Sequence, residues 1–184
     1  MRKNLKDFKG KEAIFIDANI FLHHAFDMNP ISVEFLKAIE SSNLKVYTSA
    51  LVIEEITFKL IMQSASNFLE KLTLQNVKAL LKDTKTKERI FKPVIEYRGY
   101  LDMLKDFGLT VLDLTDKDMA AAIQKAKVYG LIAADAAHLA VMERKDIVHM
   151  ASSDSDFQVV NDLTLWSPIE TRETRETRET KETR

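Results

Sequence analysis

The sequence predicts a three-layer α/β/α domain with a mainly parallel central sheet, carrying an inserted helical segment. Three observations predict it. Short continuous apolar runs such as AIFI at 13–16 lack the polar alternation of a half-exposed strand, so they suit a sheet covered on both faces. Amphipathic helical stretches alternate with these runs, which implies crossover connections and parallel strands. A length of 184 residues, 46% of them hydrophobic, allows one well-packed core and is short for two.

The elements follow in order. After a polar start, Glu12 to Asp17 reads as a buried strand and a helix begins directly at Ala18. Pro30 stands at the first position of the next helix, whose stripe is Val33, Phe35, Leu36 and Ile39. Leu44 to Tyr47 reads as the second strand, and Ser49 is placed to cap a helix carrying Ile53 and Ile56 on its apolar side. From 63 to 107 the pattern is helical, with a polar break at Lys82 to Lys87. LTVLDL at 109–114 returns to strand character after Gly108, a helix stop. Thr115 and Asp118 have capping-box spacing ahead of a helix from Asp116 to Tyr129, ended by Gly130. A helix from Ala133 to Arg144, a strand IVHMAS at 147–152 and a last strand LTLW at 163–166 complete the chain's ordered part. Residues 1–169 are therefore expected to form one domain, with 63–107 as a helical insertion or arm. The repeat ETRETRETRETKETR at 170–184 has no apolar residue and reads as a solvated, low-complexity tail.

Composition narrows the function. The 27 Lys and Arg nearly balance 28 Asp and Glu, so any nucleic-acid contact must come from a local patch. With no cysteine, disulfides, thiolate metal sites and cysteine nucleophiles are excluded. No stretch approaches the length of a membrane span, and MRKNLKDFKGKE lacks the apolar core of a signal peptide. A soluble, cytoplasmic chain without membrane contact is the expectation.

The acids carry the chemistry. Asp17 falls at the carboxyl end of the first strand, the edge where open α/β sheets place ligands. Asp154 and Asp156 follow the strand IVHMAS, Asp135 sits among Ala133, Ala134, Ala136 and Ala137, and Glu54 and Glu55 lie in the first turns of a helix. Singly, each suits a helix cap, a turn or a dipole partner. Jointly, several acids in apolar surroundings at the edges of one sheet require a counter-charge, because each buried charge costs several kcal/mol. Mg²⁺ or Mn²⁺ suits such an all-oxygen site, since the chain has no zinc-type HxxxH or HExxH spacing. The implied chemistry is metal-assisted displacement at phosphorus.

The ordered set of Asp17 and Asn19 after the first strand, Glu55 in SALVIEEI, Asp135 in LIAADAAHLA, and Asp154, Asp156 and Phe157 in SSDSDF resembles the PIN-domain ribonucleases, which include VapC-type toxins and RNA-processing endonucleases. The resemblance runs from about residue 12 to about residue 166. It implies a PIN-like fold and a Mg²⁺- or Mn²⁺-dependent endonuclease acting on RNA, often as a homodimer. By position, Asp17, Glu55, Asp135 and Asp154 match the family's acidic site, Asp156 a further acid, Asn19 the first-motif asparagine, and Ser152 a hydroxyl before the fourth acid. The resemblance also favours Glu55 over Glu54. A toxin of this type would have an antitoxin partner, and an RNA-processing member a ribosome-associated protein partner. The long helical stretch between Glu55 and Leu109 departs from compact toxins. The rivals are a catalytically silent PIN-like module binding RNA or protein, a response receiver, and a haloacid-dehalogenase-like phosphatase; the last wants DxD where this chain has Asp17-Ala18-Asn19.

From Lys59 to Arg98, nine basic residues face four acidic ones, and Lys82, Lys85, Lys87, Arg89 and Lys92 concentrate that excess as a candidate RNA surface. The competing reading is a solvated helix face. Tyr97 and Tyr100 suit base stacking or, at helical spacing, core. His23 and His24 point about 100° apart on a helix and do not share an ion, so one is expected to be packed and one near the surface. His138, three residues after Asp135, is placed either to support the site or to be a satisfied core histidine.

Overall fold

A computed structural model describes residues 1–42 and 44–169. The 170–184 tail lies outside the described residues. Six strands, β1 (Arg2–Asn4), β2 (Ile14–Ile16), β3 (Val46–Ser49), β4 (Thr110–Leu112), β5 (His149–Ala151) and β6 (Thr164–Ser167), form one sheet in the order β1-β6-β5-β2-β3-β4. Every pairing is parallel. Seven helices complete the layers: α1 (Ala18–Ala25), α2 (Pro30–Ser41), α3 (Ala50–Ser66), α4 (Leu74–Leu80), α5 (Thr84–Asp106), α6 (Asp116–Tyr129) and α7 (Ala133–Arg144).

Helices on both sides explain the unbroken apolar strand. Ile14, Phe15 and Ile16 of β2 are each 0% exposed, and each such side chain contributes about 1.5–3 kcal/mol on full burial. From β2 the chain winds outward to β3 and β4, then returns to β5 and β6 on the other side. The boundary between β2 and β5 is thus a topological switch point, where such sheets open a crevice at their carboxyl edge.

Several boundaries follow the predicted chemistry. Thr115 and Asp118 close a reciprocal capping box, and Gly130 ends α6 in the left-handed region at φ 71°, which glycine adopts without a Cβ penalty. Others differ. β1 was unanticipated: its sequence RKN is polar because it is an edge strand, held by its register with β6. β3 runs two residues later than the apolar run predicts. Thr48 and Ser49 are buried with their hydroxyls satisfied, Thr48 donating to the Ile16 carbonyl at 2.9 Å and Ser49 accepting from the Val52 N–H at 3.3 Å. The break expected at Lys82 to Lys87 is Leu81–Asp83. Asp83 accepts from the Thr86 N–H at 2.8 Å and so draws residues 84–87 into the first turn of α5.

Where α3, α4 and α5 meet, Ala65, Val77 and Ile90 form a small core of their own. α5 is also fastened to the main body, because the buried Tyr97 hydroxyl donates to the Phe21 carbonyl of α1 at 2.6 Å.

Candidate metal centre

Asp17 follows β2 and is 6% exposed. It caps α1, with Oδ1 accepting from the Ala18 N–H at 2.7 Å, so the helix-cap role is real but uses one oxygen. Oδ2 accepts from the Asn19 side-chain amide and from the Ser152 hydroxyl, the latter at 2.6 Å. A carboxylate offers about four acceptor positions. Three hydrogen bonds therefore leave room for a further ligand.

Ladder register brings these residues together. Ile16 pairs with Ala151, and the Asp17 N–H donates to the Ala151 carbonyl at 3.0 Å, so Asp17 and Ser152 meet one step beyond the strand ends. The buried Ser152 Oγ also accepts from Asn19 Nδ2 at 2.9 Å and from the Asp154 N–H at 3.0 Å. Asn19 Oδ1 accepts from the Ser153 N–H at 2.9 Å. Asn19 and Ser152 thus tie the loop after β5 to the loop after β2.

Glu55, on α3, turns inward, while Glu54 is exposed. His138 Nε2 lies 3.2 Å from Glu55 Oε1, and one ligand atom each of Asp17, Glu55 and His138 lie within 4.8 Å of one another. Asp135, in the first turn of α7, faces the same group. Burial, followed by the negative charges of Asp154, Asp17 and Glu55 and opposed by His138, pushes its carboxyl up to about 6. Burial raises Asp17 as well, against the pull of His138 and the hydrogen bonds from Ser152 and Ala18. For His138, burial disfavours a charge, but the Glu55 hydrogen bond and the surrounding carboxylates outweigh it and raise its affinity for a proton. Its other nitrogen, Nδ1, is buried without a hydrogen-bond partner among the described residues.

Asp135 thus feels the charges of Asp154, Asp17 and Glu55, and Asp17 that of Glu55, while the fifth acid differs. Asp156 is exposed, opens a short 3-10 turn (Asp156–Val159), and touches the cluster through its backbone, its N–H donating to Asp154 Oδ1 at 2.8 Å. The donor set suits a hard divalent ion: Asp17 and Asp135 are raised first by burial and further by neighbouring carboxylates, thiols are absent, and the one imidazole is engaged with Glu55.

The remaining candidates separate clearly. His23 Nδ1 lies 2.9 Å from Ser32 Oγ, and His24 stacks on Tyr100 at 4.3 Å between ring centroids. Both histidines are half-buried, so the expectation of one near the surface is corrected: α2 and α5 cover this side of α1. Lys82, Lys85, Lys87, Arg89 and Lys92 are all exposed. Arg89 lies over the Phe68 ring at 4.8 Å, and Lys92 approaches Glu96 at 3.9 Å. Sequence reasoning passed over Phe58, which shares a cleft with Glu55. Its signal was its position, three residues after that acid on the same helix. No helix among the described residues is long and apolar enough to cross a membrane.

An all-parallel α/β/α domain with Asp17, Glu55 and His138 gathered at the carboxyl edge of a switch point defines the class. The chain belongs to the PIN-domain family, whose model matches residues 14–163. Solved structures share this fold. The DNA-bound VapBC of Salmonella typhimurium superposes with a TM-score of 0.55 at 9% identity, covering 86% of this chain and 99% of that one. VapBC2 of Rickettsia felis, bound to a fragment of promoter DNA, gives 0.52 at 13% identity over 84% and 98%. The Mycobacterium tuberculosis toxin VapC20, which cleaves the sarcin-ricin loop, gives 0.51 at 15% over 81% and 95%. No curated protein sequence matches the chain.

Proposed function

We propose that this protein is a metal-dependent endoribonuclease that hydrolyses RNA phosphodiester bonds. The reading is supported by Asp17, Glu55 and His138, whose ligand atoms lie within 4.8 Å of one another, beside an Asp135 that feels the charges of Asp154, Asp17 and Glu55, in a chain of the PIN-domain family. Asp17, Asp135 and Asp154 would hold Mg²⁺ or Mn²⁺, with Asp156 at the margin. When bound, such an ion supplies acidified water and positive charge at the leaving oxygen.

The chain's own residues do the rest. Asn19 and Ser152 fix the Asp17 carboxylate, so that its free lone pair keeps one direction. Glu55, held on one oxygen by His138, orients the attacking water with the other. Water attacks phosphorus in line; the new P–O bond forms as the P–O bond to the leaving oxygen breaks, and the water's proton passes to the surrounding carboxylates. Lys82, Lys85, Lys87, Arg89 and Lys92 on the 63–107 arm would contact phosphates farther along the strand.

Within this reading residues 1–169 act as one cytoplasmic domain, as a homodimer. A toxin role with an antitoxin partner is supported by the VapBC complexes among the similar folds. The long α4–α5 segment departs from compact toxins and keeps an RNA-processing role, with a ribosome-associated partner, as the other reading. Purified protein incubated with a mixed RNA pool and Mn²⁺ should cleave, and Asp17→Asn should not. Indistinguishable pools would overturn the enzyme and leave a silent RNA- or protein-binding module.

A further inference from the structure

Beside the acids lies a cleft of about 400 Å³, lined by Ala18 and Leu22 of α1, Glu54, Glu55, Phe58 and Lys59 of α3, and Ala134 of α7. α3 buries Val52, Ile56 and Leu60, while Phe58 is 40% exposed. Among the described residues its ring makes no aromatic or cation contact, unlike Phe8, Phe15 and Phe68. An exposed apolar residue by itself needs no explanation. This one stands three residues beyond Glu55, with an exposed lysine next to it, over a floor of small and aliphatic side chains.

We propose that this cleft is a base subsite, in which one unpaired nucleobase of RNA stacks on Phe58 while Lys59 contacts the adjoining phosphate. The inference rests on the RNA reading above and deepens it. Apolar walls accept the faces of any base, and every base has a π-face, so the subsite selects an unstacked nucleotide rather than a sequence. Glu55 and Lys59 stand one turn apart on α3 and both line the cleft, so a strand whose phosphate meets the lysine has its next phosphate within reach of the acids. A base still stacked in a duplex cannot enter without unpairing. Phe58 and Lys59 would therefore restrict action to loops, bulges and single strands.

The test uses the full chain and short RNAs containing 2-aminopurine, either single-stranded or within a hairpin stem, in Ca²⁺. Single-stranded RNA should bind with quenched emission. Phe58→Ala should weaken binding by about 5- to 100-fold, the range for loss of one stacked base, and Phe58→Trp should restore it. Lys59→Gln should lower the slope of log affinity against log salt by about 0.7, one single-strand phosphate contact. Stem-embedded 2-aminopurine should show neither quenching nor sensitivity to Phe58. Equal binding by wild type and Phe58→Ala would overturn the subsite. So would unquenched emission, or Phe58-dependent capture of a basic, apolar peptide with no capture of RNA. A parallel Mn²⁺ cleavage assay separates the two claims: Phe58-dependent quenching without hydrolysis keeps the subsite and removes the nuclease, and hydrolysis indifferent to Phe58 does the reverse.

Discussion

Ser152 donates its hydroxyl proton to Asp17 Oδ2 across 2.6 Å, joining the ends of two neighbouring parallel strands through the acid that the site is built around. Removing that hydroxyl leaves Asp17 held by Ala18 and Asn19 and deprives the Asp154 N–H of its acceptor. Ser152→Ala should therefore weaken Mn²⁺ binding by about 10- to 100-fold, the usual cost of losing a group that orients a ligand. It should also lower folding stability by about 1–2 kcal/mol, since Asp17 Oδ2, Asn19 Nδ2 and the Asp154 N–H each lose a partner. Isothermal titration with Mn²⁺ and urea unfolding of the metal-free protein measure the two effects. Unchanged Mn²⁺ affinity would mean that Asp17 needs no such support.

His138 separates stability from metal binding in another way. Its ring is 1% exposed, packs on Phe15 at 5.7 Å, and carries one buried nitrogen with no hydrogen-bond partner among the described residues. His138→Leu removes that orphan atom and keeps an apolar group against Phe15, so the thermal midpoint should stay within a few degrees. Glu55 loses its hydrogen bond, and Mn²⁺ affinity should fall by about 10-fold or more. His138→Gln, which can still donate to Glu55, should fall between Leu and wild type. Equal affinity for all three would remove His138 as a positioning residue.

Much of this arrangement was legible in the sequence because its determinants are local or periodic. IFID announces a buried strand ending in an acid, and Thr115 with Asp118 announces a cap; each needs only a few adjacent residues. What the sequence could not display is contact set by register. β1 has no apolar pattern of its own and exists because Arg2, Lys3 and Asn4 align with Leu165, Trp166 and Ser167. The position of Ser152 against Asp17 depends likewise on the Ile16–Ala151 pairing. His138 remained ambiguous because i+3 spacing from Asp135 says nothing of Glu55, which is 83 residues away in the chain. Phe58 showed only its spacing from Glu55, because exposure is a property of the packed molecule: Val52, Ile56 and Leu60 took the buried face of α3 and left it outside.

Asp118 and Arg144 give a pH dependence far from the acids of the site. Asp118 is buried, its Oδ1 accepting from Arg144 Nε at 2.7 Å and its Oδ2 from the Thr115 N–H and hydroxyl at 2.8 and 2.7 Å. Burial alone would raise its carboxyl, but the Arg144 and Thr115 hydrogen bonds outweigh it and hold the group down to about 2. The folded value lies below the unfolded one of about 3.9, so the stabilisation is complete above that value and is lost as pH falls through about 2. Asp118→Asn should cost about 2 kcal/mol near neutral pH. Its deficit against wild type should shrink as the pH is lowered from about 4 towards about 2. Urea unfolding across that range measures it, and a constant deficit would show that the charge contributes nothing.

Two tyrosines on α5 should respond in opposite directions to the same change. The Tyr97 hydroxyl donates to the Phe21 carbonyl at 2.6 Å and lies 3.3 Å from His24 Nδ1, tying α5 to α1 by polar contact. Tyr100, one turn later, stacks its ring on His24, but its hydroxyl is buried without a hydrogen-bond partner among the described residues. Tyr97→Phe should lower stability by about 1–2 kcal/mol, because it leaves a buried carbonyl short of a donor. Tyr100→Phe keeps the stacked ring and removes an unsatisfied hydroxyl, so it should be neutral or stabilising by up to about 1 kcal/mol. Neither ring touches the acids, so Mn²⁺ affinity should be unchanged in both variants. Equal destabilisation by the two substitutions would contradict this account of how α5 is held, since the stacked ring is preserved in each and only the hydroxyl's partner differs.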